Sequence, residues 1–380
     1  MNTIRPFRHG LAALCLAAFA FCAFAASASE APAPVKQRVE VGFVLDTTGS
    51  MANLIDGAKK KIWAIANAIV DKNPDADIYM GLVGYRDLGD EYVTRHFPLS
   101  TDIQNIYAEL LRFEANGGGD TPESVNEALD VAVAKLGWTD SGQGKSKVSR
   151  ILFLVGDAPP HMDYEQDRKY PDVIREAVSK GIIVNTVQAG NMASTTKIWK
   201  EMAKLGGGEY HAIPQDGGRV IIIETPFDER IRIIQIDLNK TIVPYGNIVQ
   251  QRAVESKAMM YEAAAPAASA DMSSYVSKSA KGKGIVTGGG DLVADIAEGK
   301  KALKDVPEKE LPETMQGMKP EARQAYLDKQ NAERERLAAE LKELVLQRDA
   351  YLRDKEKEAA PKAGDSFDRS VSKTLEKQIR

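Results

Sequence analysis

The sequence predicts an α/β fold: a doubly wound, mostly parallel, Rossmann-like sheet with helices on both faces, followed by a mainly helical, partly flexible C-terminal region. Three observations predict it. Between residues 37 and 214, short apolar runs alternate with segments of helical periodicity. The turns joining them are short, as in repeated strand–helix units. The strongest run, 150–155, is apolar at successive positions and so suits a strand covered on both faces.

The elements follow in order. Residues 39–45 read as a buried strand. Over 53–70, Leu54, Ala58, Ile62, Ile65, Ala66 and Ile69 share one helical face, and Asn73-Pro74 ends the helix. Strands at 78–85 and 92–97 are joined by the tight turn at Leu88-Gly89-Asp90, which makes the second an antiparallel edge. Thr101 or Asp102 opens a helix with Ile103, Ile106, Leu110 and Leu111 inward. Thr121-Pro122-Glu123-Ser124 opens the next, with proline near its first turn and Val125, Leu129, Ala132 and Leu136 inward. Residues 141–146 read as a loop. After the strand at 150–155, the segments 172–180, 182–187, 194–205 and 209–213 supply helix, strand, helix and strand.

Beyond residue 214 the character changes. A helical extension is expected over 215–262, with a helix start at Thr225-Pro226-Phe227-Asp228 and a second helix near 247–261. Residues 263–317, rich in Ala and Pro and then in Ser, Lys and Gly, read as a low-complexity linker. Residues 318–380 form a charged helical region. Leu337, Leu341 and Leu344 in the helix over 320–358 have heptad spacing, but Arg334 and Arg348 occupy flanking heptad positions. That favours a helix packed on its own domain, or solvated, over a coiled-coil dimer, with self-association through 320–358 as the other role open to it.

The first 28 residues read as a secretory signal peptide. Arg5, Arg8 and His9 precede an apolar run at 11–24, and Ala26-Ser27-Ala28 has the pattern of a cleavage site. The destination expected is periplasmic or secreted. The run is short for a membrane span, and no second one follows. Cys15 and Cys22 both lie in this leader, so the mature chain is expected to have no disulfide, thiolate zinc site or thiol nucleophile. Loss of Arg5 and Arg8 from 50 basic residues, against 54 acidic ones, takes the net charge from −4 to −6. That balance argues against nucleic acid as a partner.

The candidate chemistry lies at three strand-to-helix junctions. Asp46-Thr47-Thr48-Gly49-Ser50 gathers a carboxylate and three hydroxyls just past the first strand. Taken alone, it could be a turn and helix N-cap. Thr121 follows a glycine turn at Gly117-Gly118-Gly119, and Asp157 stands just past the strand at 150–155. If the first and fourth strands are parallel neighbours, all three loops share one sheet edge, where ligands bind in open α/β folds. Hard oxygen donors in that number suit Mg²⁺ first, with Ca²⁺ or Mn²⁺ as alternatives. Arg86, Asp87, Asp120, His161 and Asp163 are expected to rim the same face. Among the charged residues near the site, no nucleophile–base pair is visible.

These motifs resemble the metal-ion-dependent adhesion site of von Willebrand factor type A domains, over residues 37–214. The wording Gly84-Tyr85-Arg86-Asp87 and Gly156-Asp157-Ala158-Pro159-Pro160-His161 is similar to an exported bacterial branch of such proteins. The resemblance implies Asp46, Thr48, Ser50, Thr121 and Asp157 as metal residues, with Thr48 in place of the commoner serine and with Asp120, just before Thr121, as the alternative to Thr121 in facing the metal. The function expected is an exported, non-enzymatic module that captures a protein partner's carboxylate through the bound metal. A metal-dependent hydrolase using the same site and a scaffold acting through the C-terminal helix are the alternatives.

Overall fold

In the computed structural model, residues 37–140, 147–216, 223–279, 285–359 and 366–379 are described. The expected leader and the expected loop at 141–146 lie outside them. Strand β1 (Gln37–Asp46) is the centre of the fold, and every residue from Val39 to Asp46 is buried. It pairs in parallel with β2 (Asp77–Tyr85) on one side and β4 (Lys147–Gly156) on the other. β5 (Ile182–Ala189) and β6 (Gly207–Ile213) continue the parallel sheet, and β3 (Thr94–Ser100) is its antiparallel edge. The order is β3-β2-β1-β4-β5-β6. The chain therefore changes direction across the sheet at the β1/β4 pair, which opens a crevice at the carboxyl ends of those strands.

Alternation along the central strands feeds two cores. Phe43, Leu45, Phe153 and Val155 face α1 (Ala52–Lys72) and α2 (Ile103–Leu111). Val44, Leu152 and Leu154 face α3 (Val125–Lys135), α4 (Tyr170–Ser179) and α5 (Ala193–Leu205). This is the period-two side-chain alternation of a strand serving two covered faces. One local expectation fails. Pro122 does not sit in the first turn of α3, which starts at Val125 with Ser124 at its cap. Glu123 instead makes a parallel bridge to Pro160, and that pairing holds this segment extended.

The C-terminal region is helical: α6 (Asp228–Asn239), α7 (Ile248–Ala263), α8 (Pro266–Lys278), α9 (Leu292–Ala297), α10 (Pro320–Ala359) and α11 (Phe367–Gln378). The stretch read as a linker is folded over much of its length. In α8, Ser269, Ala270, Ser273 and Ser274 are fully or almost fully buried, and Asn67 of α1 donates to the Asp271 carbonyl at 2.8 Å. Small side chains that suggest flexibility in sequence here allow close helix–helix approach. Gly288, Gly289 and Gly290 all have positive φ, and the Gly290 carbonyl accepts from the Tyr245 amide.

The boundary expected at residue 214 is also crossed. Phe367, Val371 and Leu375 of α11 join the core against α1. Thr374 bonds the His211 ring at 2.8 Å, Gln378 bonds Asn185, and Lys377 pairs with Glu209 at 2.6 Å. Helix α10 packs through Leu337, Leu341 and Val345 on Ile231, Ile234 and Leu238 of α6. Among the described residues, no helix is long and apolar enough to cross a membrane.

Candidate metal centre

The three loops at the carboxyl edge are tied together by main-chain hydrogen bonds. The Gly49 amide donates to the Gly117 carbonyl, and the Asn116 amide to the Thr47 carbonyl, both at 3.1 Å. On the other side, the Glu123 amide donates to Pro159 and the His161 amide donates back to Glu123, both at 3.0 Å. The Asp90 carboxylate adds a clasp by accepting from the Asp87 and Gly118 amides, each at 3.1 Å. Loops distant in sequence are thus held to one another before any ligand is considered.

Asp46 ends β1, level with Tyr85 of β2 and one residue past the Leu45–Val155 pair with β4. It is fully buried. Its Oδ1 accepts from the Thr48 amide at 2.9 Å and the Thr48 hydroxyl at 2.6 Å. The Thr48 and Ser50 hydroxyls are 3.2 Å apart. Neither hydroxyl caps the helical turns that follow, since the Thr48 side chain makes no cap bond and Met51 stands at the cap of α1. The cap half of the turn-and-cap alternative therefore does not account for the hydroxyls, while the turn half holds, since Asp46 Oδ1 accepts from the amide two residues on. Asp46 Oδ2 is buried with no hydrogen bond, as is Glu123 Oε2.

The electrostatics are those of crowded acids. Burial, followed by the charge of Asp157, pushes the Asp46 carboxyl up to about 7 against the bonds from Thr48. Burial, then the charge of Asp46, pushes Glu123 up to about 9. Like charges brought together out of water favour protonation or an added cation. Glycine makes room for close packing here: a Cβ at Gly156 would clash with the Tyr85 hydroxyl and stand 3.0 Å from Asp46 Oδ2, and one at Gly118 would stand 3.0 Å from Thr48 Cβ. An orphaned carboxylate oxygen, adjacent hydroxyls and a like-charge cluster fit a small hard cation.

The other expected residues separate into groups. Ser50 and Thr121 are exposed and Asp157 is half-buried. Asp157 Oδ2 accepts from Gln215 Nε2 at 2.5 Å. Asp120 and Asp163 are exposed. Arg86 is not a rim residue. It is buried, donating from Nε to the Thr47 carbonyl at 3.2 Å and from an Nη to the Glu114 carbonyl at 2.7 Å, with its guanidinium over the Tyr92 ring. Asp87 and His161 are also buried, and with Asp120 they place one ligand atom each within 4.8 Å of one another. The sequence reading missed Glu123 and Gln215, and placed Asp90 on the rim without its clasp to the Gly118 amide. Glu123 had a signal, an acid two residues past Thr121 in the same loop. Gln215 had none, because its approach to Asp157 depends on how the chain leaves β6.

Residues 40–225 match the family model of the von Willebrand factor A domain. The chain carries a von Willebrand factor A domain. Domains of this family commonly serve as protein-interaction modules and often bind a divalent metal. Two relatives match in sequence. An ariadne-like RING finger protein of Acanthamoeba polyphaga mimivirus is 28% identical over 127 residues, covering 32% of this chain and 11% of the relative. An alpha-protein kinase of Dictyostelium discoideum is 29% identical over 130 residues, covering 32% and 19%. The chain thus spans a small part of either relative. Similar solved structures include the SpRpn10 VWA domain, at 12% identity and TM-score 0.35, covering 48% of this chain and 89% of that one. Proximal thread matrix protein 1 of the mussel byssus matches at 13% and 0.35, covering 48% and 43%.

Proposed function

We propose that the von Willebrand factor A domain of this chain is an exported, metal-dependent protein-binding module. In this reading Asp46, Thr48, Ser50, Thr121 and Asp157 hold Mg²⁺, and a partner's carboxylate completes its coordination. The observation that carries the reading is the buried Asp46 Oδ2, which has no hydrogen bond and sits among like charges. A cation there would satisfy that oxygen and leave coordination open towards solvent on the side of the exposed Ser50 and Thr121. Around the same edge, Leu88, Met162 and Met192 are 47%, 45% and 41% exposed. They follow β2, β4 and β5, and supply apolar contact area beside the charged centre. The export part rests on the leader-like residues 1–28 alone.

The test is a binding measurement on immobilised peptides with and without an internal Asp or Glu, in Mg²⁺ and then in EDTA. Retention of acidic peptides in Mg²⁺, release by EDTA, and loss in Asp46→Ala and Asp157→Ala support the module. Retention indifferent to EDTA would remove the metal from the reading. Phosphate-ester turnover that depends on Asp46 would replace binding by hydrolysis.

A further inference from the structure

We infer that the domain has a second cation site, built on His161, Asp87 and Asp120 and suited to a first-row transition metal such as Mn²⁺, Co²⁺ or Zn²⁺. The three residues come from the β4–α4, β2–β3 and α2–α3 connections, and one ligand atom of each lies within 4.8 Å of the other two. Proximity of acids alone would not make a site. The imidazole supplies the independent observation. The His161 side chain is only 7% exposed, and its Nε2 is buried, forms no hydrogen bond, and lies 3.5 Å from Asp87 Oδ2.

The surroundings of both buried residues orient them as ligands. His161 Nδ1 lies 2.8 Å from Asp163 Oδ1. With Nδ1–H donating to that carboxylate, the Nε2 lone pair is left facing the acids. The ring is stacked on Tyr164, centroids 3.9 Å apart and planes within 7°. The Tyr164 hydroxyl in turn donates to Asp87 Oδ2 at 2.9 Å, and the Ser124 hydroxyl to Asp87 Oδ1 at 2.7 Å. Each Asp87 oxygen keeps a lone pair after accepting one such bond. Asp120, on the exposed loop beside Thr121, is free to close from the solvent side. One imidazole and two carboxylates make a ligand set that Zn²⁺ and its neighbours accept and that Mg²⁺ does not favour. The two sites would thus differ in chemistry, oxygen-only at Asp46 and nitrogen-containing at His161.

Optical titration of the full chain with Co²⁺ in excess Mg²⁺ tests the assignment, with thermal melts in Mg²⁺ alone run beside it. The expected result is about one equivalent of Co²⁺ with a visible d–d band. His161→Gln should abolish the band while keeping the Mg²⁺ response of the melt, which also shows that the variant is folded. Asp163→Asn, at an exposed position, should weaken Co²⁺ by roughly 10- to 100-fold through the loss of ring orientation. Asp46→Asn should do the reverse, keeping Co²⁺ and losing the Mg²⁺ response. Co²⁺ binding that survives in both His161→Gln and Asp163→Asn, or that Mg²⁺ displaces, overturns the site. The Mg²⁺ arm reads the Asp46 centre separately, so either site can fail without the other.

Discussion

The Thr48 hydroxyl donates to Asp46 Oδ1 at 2.6 Å, and the other oxygen of Asp46 is left buried with no hydrogen bond. Thr48 thus fixes the orientation of the carboxylate without satisfying it. The remaining oxygen shares its surroundings with the charges of Asp157 and Glu123.

This arrangement sets a pH dependence. The folded-state values, about 7 for Asp46 and about 9 for Glu123, lie above the unfolded values of 3.8 and 4.5. Between those limits the folded state holds more protons than the unfolded state. The stability associated with these groups is therefore present at low pH and lost as pH rises through about 7 and then about 9. A bound cation opposes that loss by favouring the ionised carboxylates. The gain in Tm on adding Mg²⁺ should be larger at about pH 8 than at about pH 5.5, because binding at the lower pH must first displace protons. Melts in EDTA and in Mg²⁺ across that range measure it. A metal-induced shift that shrinks with rising pH would contradict the expectation. Asp46→Asn should raise the metal-free Tm at about pH 8 and remove the Mg²⁺ response.

Arg86 gives a different kind of prediction. Its guanidinium satisfies the carbonyls of Thr47 and Glu114 from a buried position. Arg86→Ala should leave the Glu114 carbonyl unmet and the Thr47 carbonyl with the Asn116 amide alone, and cost about 1–3 kcal/mol in a denaturant titration. Arg86→Lys should recover little, since a point ammonium cannot serve two divergent carbonyls and stack on Tyr92 as the planar fork does. Altered partner binding with unchanged stability would instead return Arg86 to the rim.

These two residues also show where the sequence was legible and where it was not. Strand, helix and loop order could be read because periodicity is local, and the edge position of Asp46 followed from a strand ending in an acid. The exposure of a loop residue is not local. Arg86 and Asp87 read alike as charged residues after β2, yet the fold turns both inward, towards main-chain carbonyls in one case and towards Ser124 and Tyr164 in the other. The linker expected at 263–317 failed for a related reason. Ala and Ser report small size, and small size serves flexibility and tight helix packing equally well.

Helix α10 should behave as part of its own domain. Arg334 pairs with Asp291 at 2.7 Å, and Arg348 with Asp228 at 2.7 Å, all four buried, and Arg348 also reaches the partly exposed Asp271 at 2.8 Å. The two arginines that spoil the heptad seam are therefore internal ties. Arg334→Ala should cost roughly 3–5 kcal/mol by leaving the buried Asp291 without its partner. Leu341→Ala should cost about 2–5 kcal/mol through the cavity left against α6. Neither change should alter the sedimentation coefficient at concentrations where both variants remain folded. A fall in mass would show that 320–358 joins two copies.

The last helix carries the strongest consequence for dissecting the chain. α11 covers the sheet face beside α1 with Phe367, Val371 and Leu375, and its polar edge bonds β5 and β6 through Gln378, Thr374 and Lys377. A fragment ending near residue 225 spans the family match but would expose this apolar surface to water. Burial of three large side chains is worth on the order of 5–8 kcal/mol, comparable to the whole stability of a typical domain. That fragment should therefore express poorly or lose its near-ultraviolet dichroism. A fragment in which 366–380 is supplied in trans should regain solubility. A short fragment that melts cooperatively at the temperature of the full chain would show that α11 is dispensable. In that case the partner-binding assays could be run on the A domain alone.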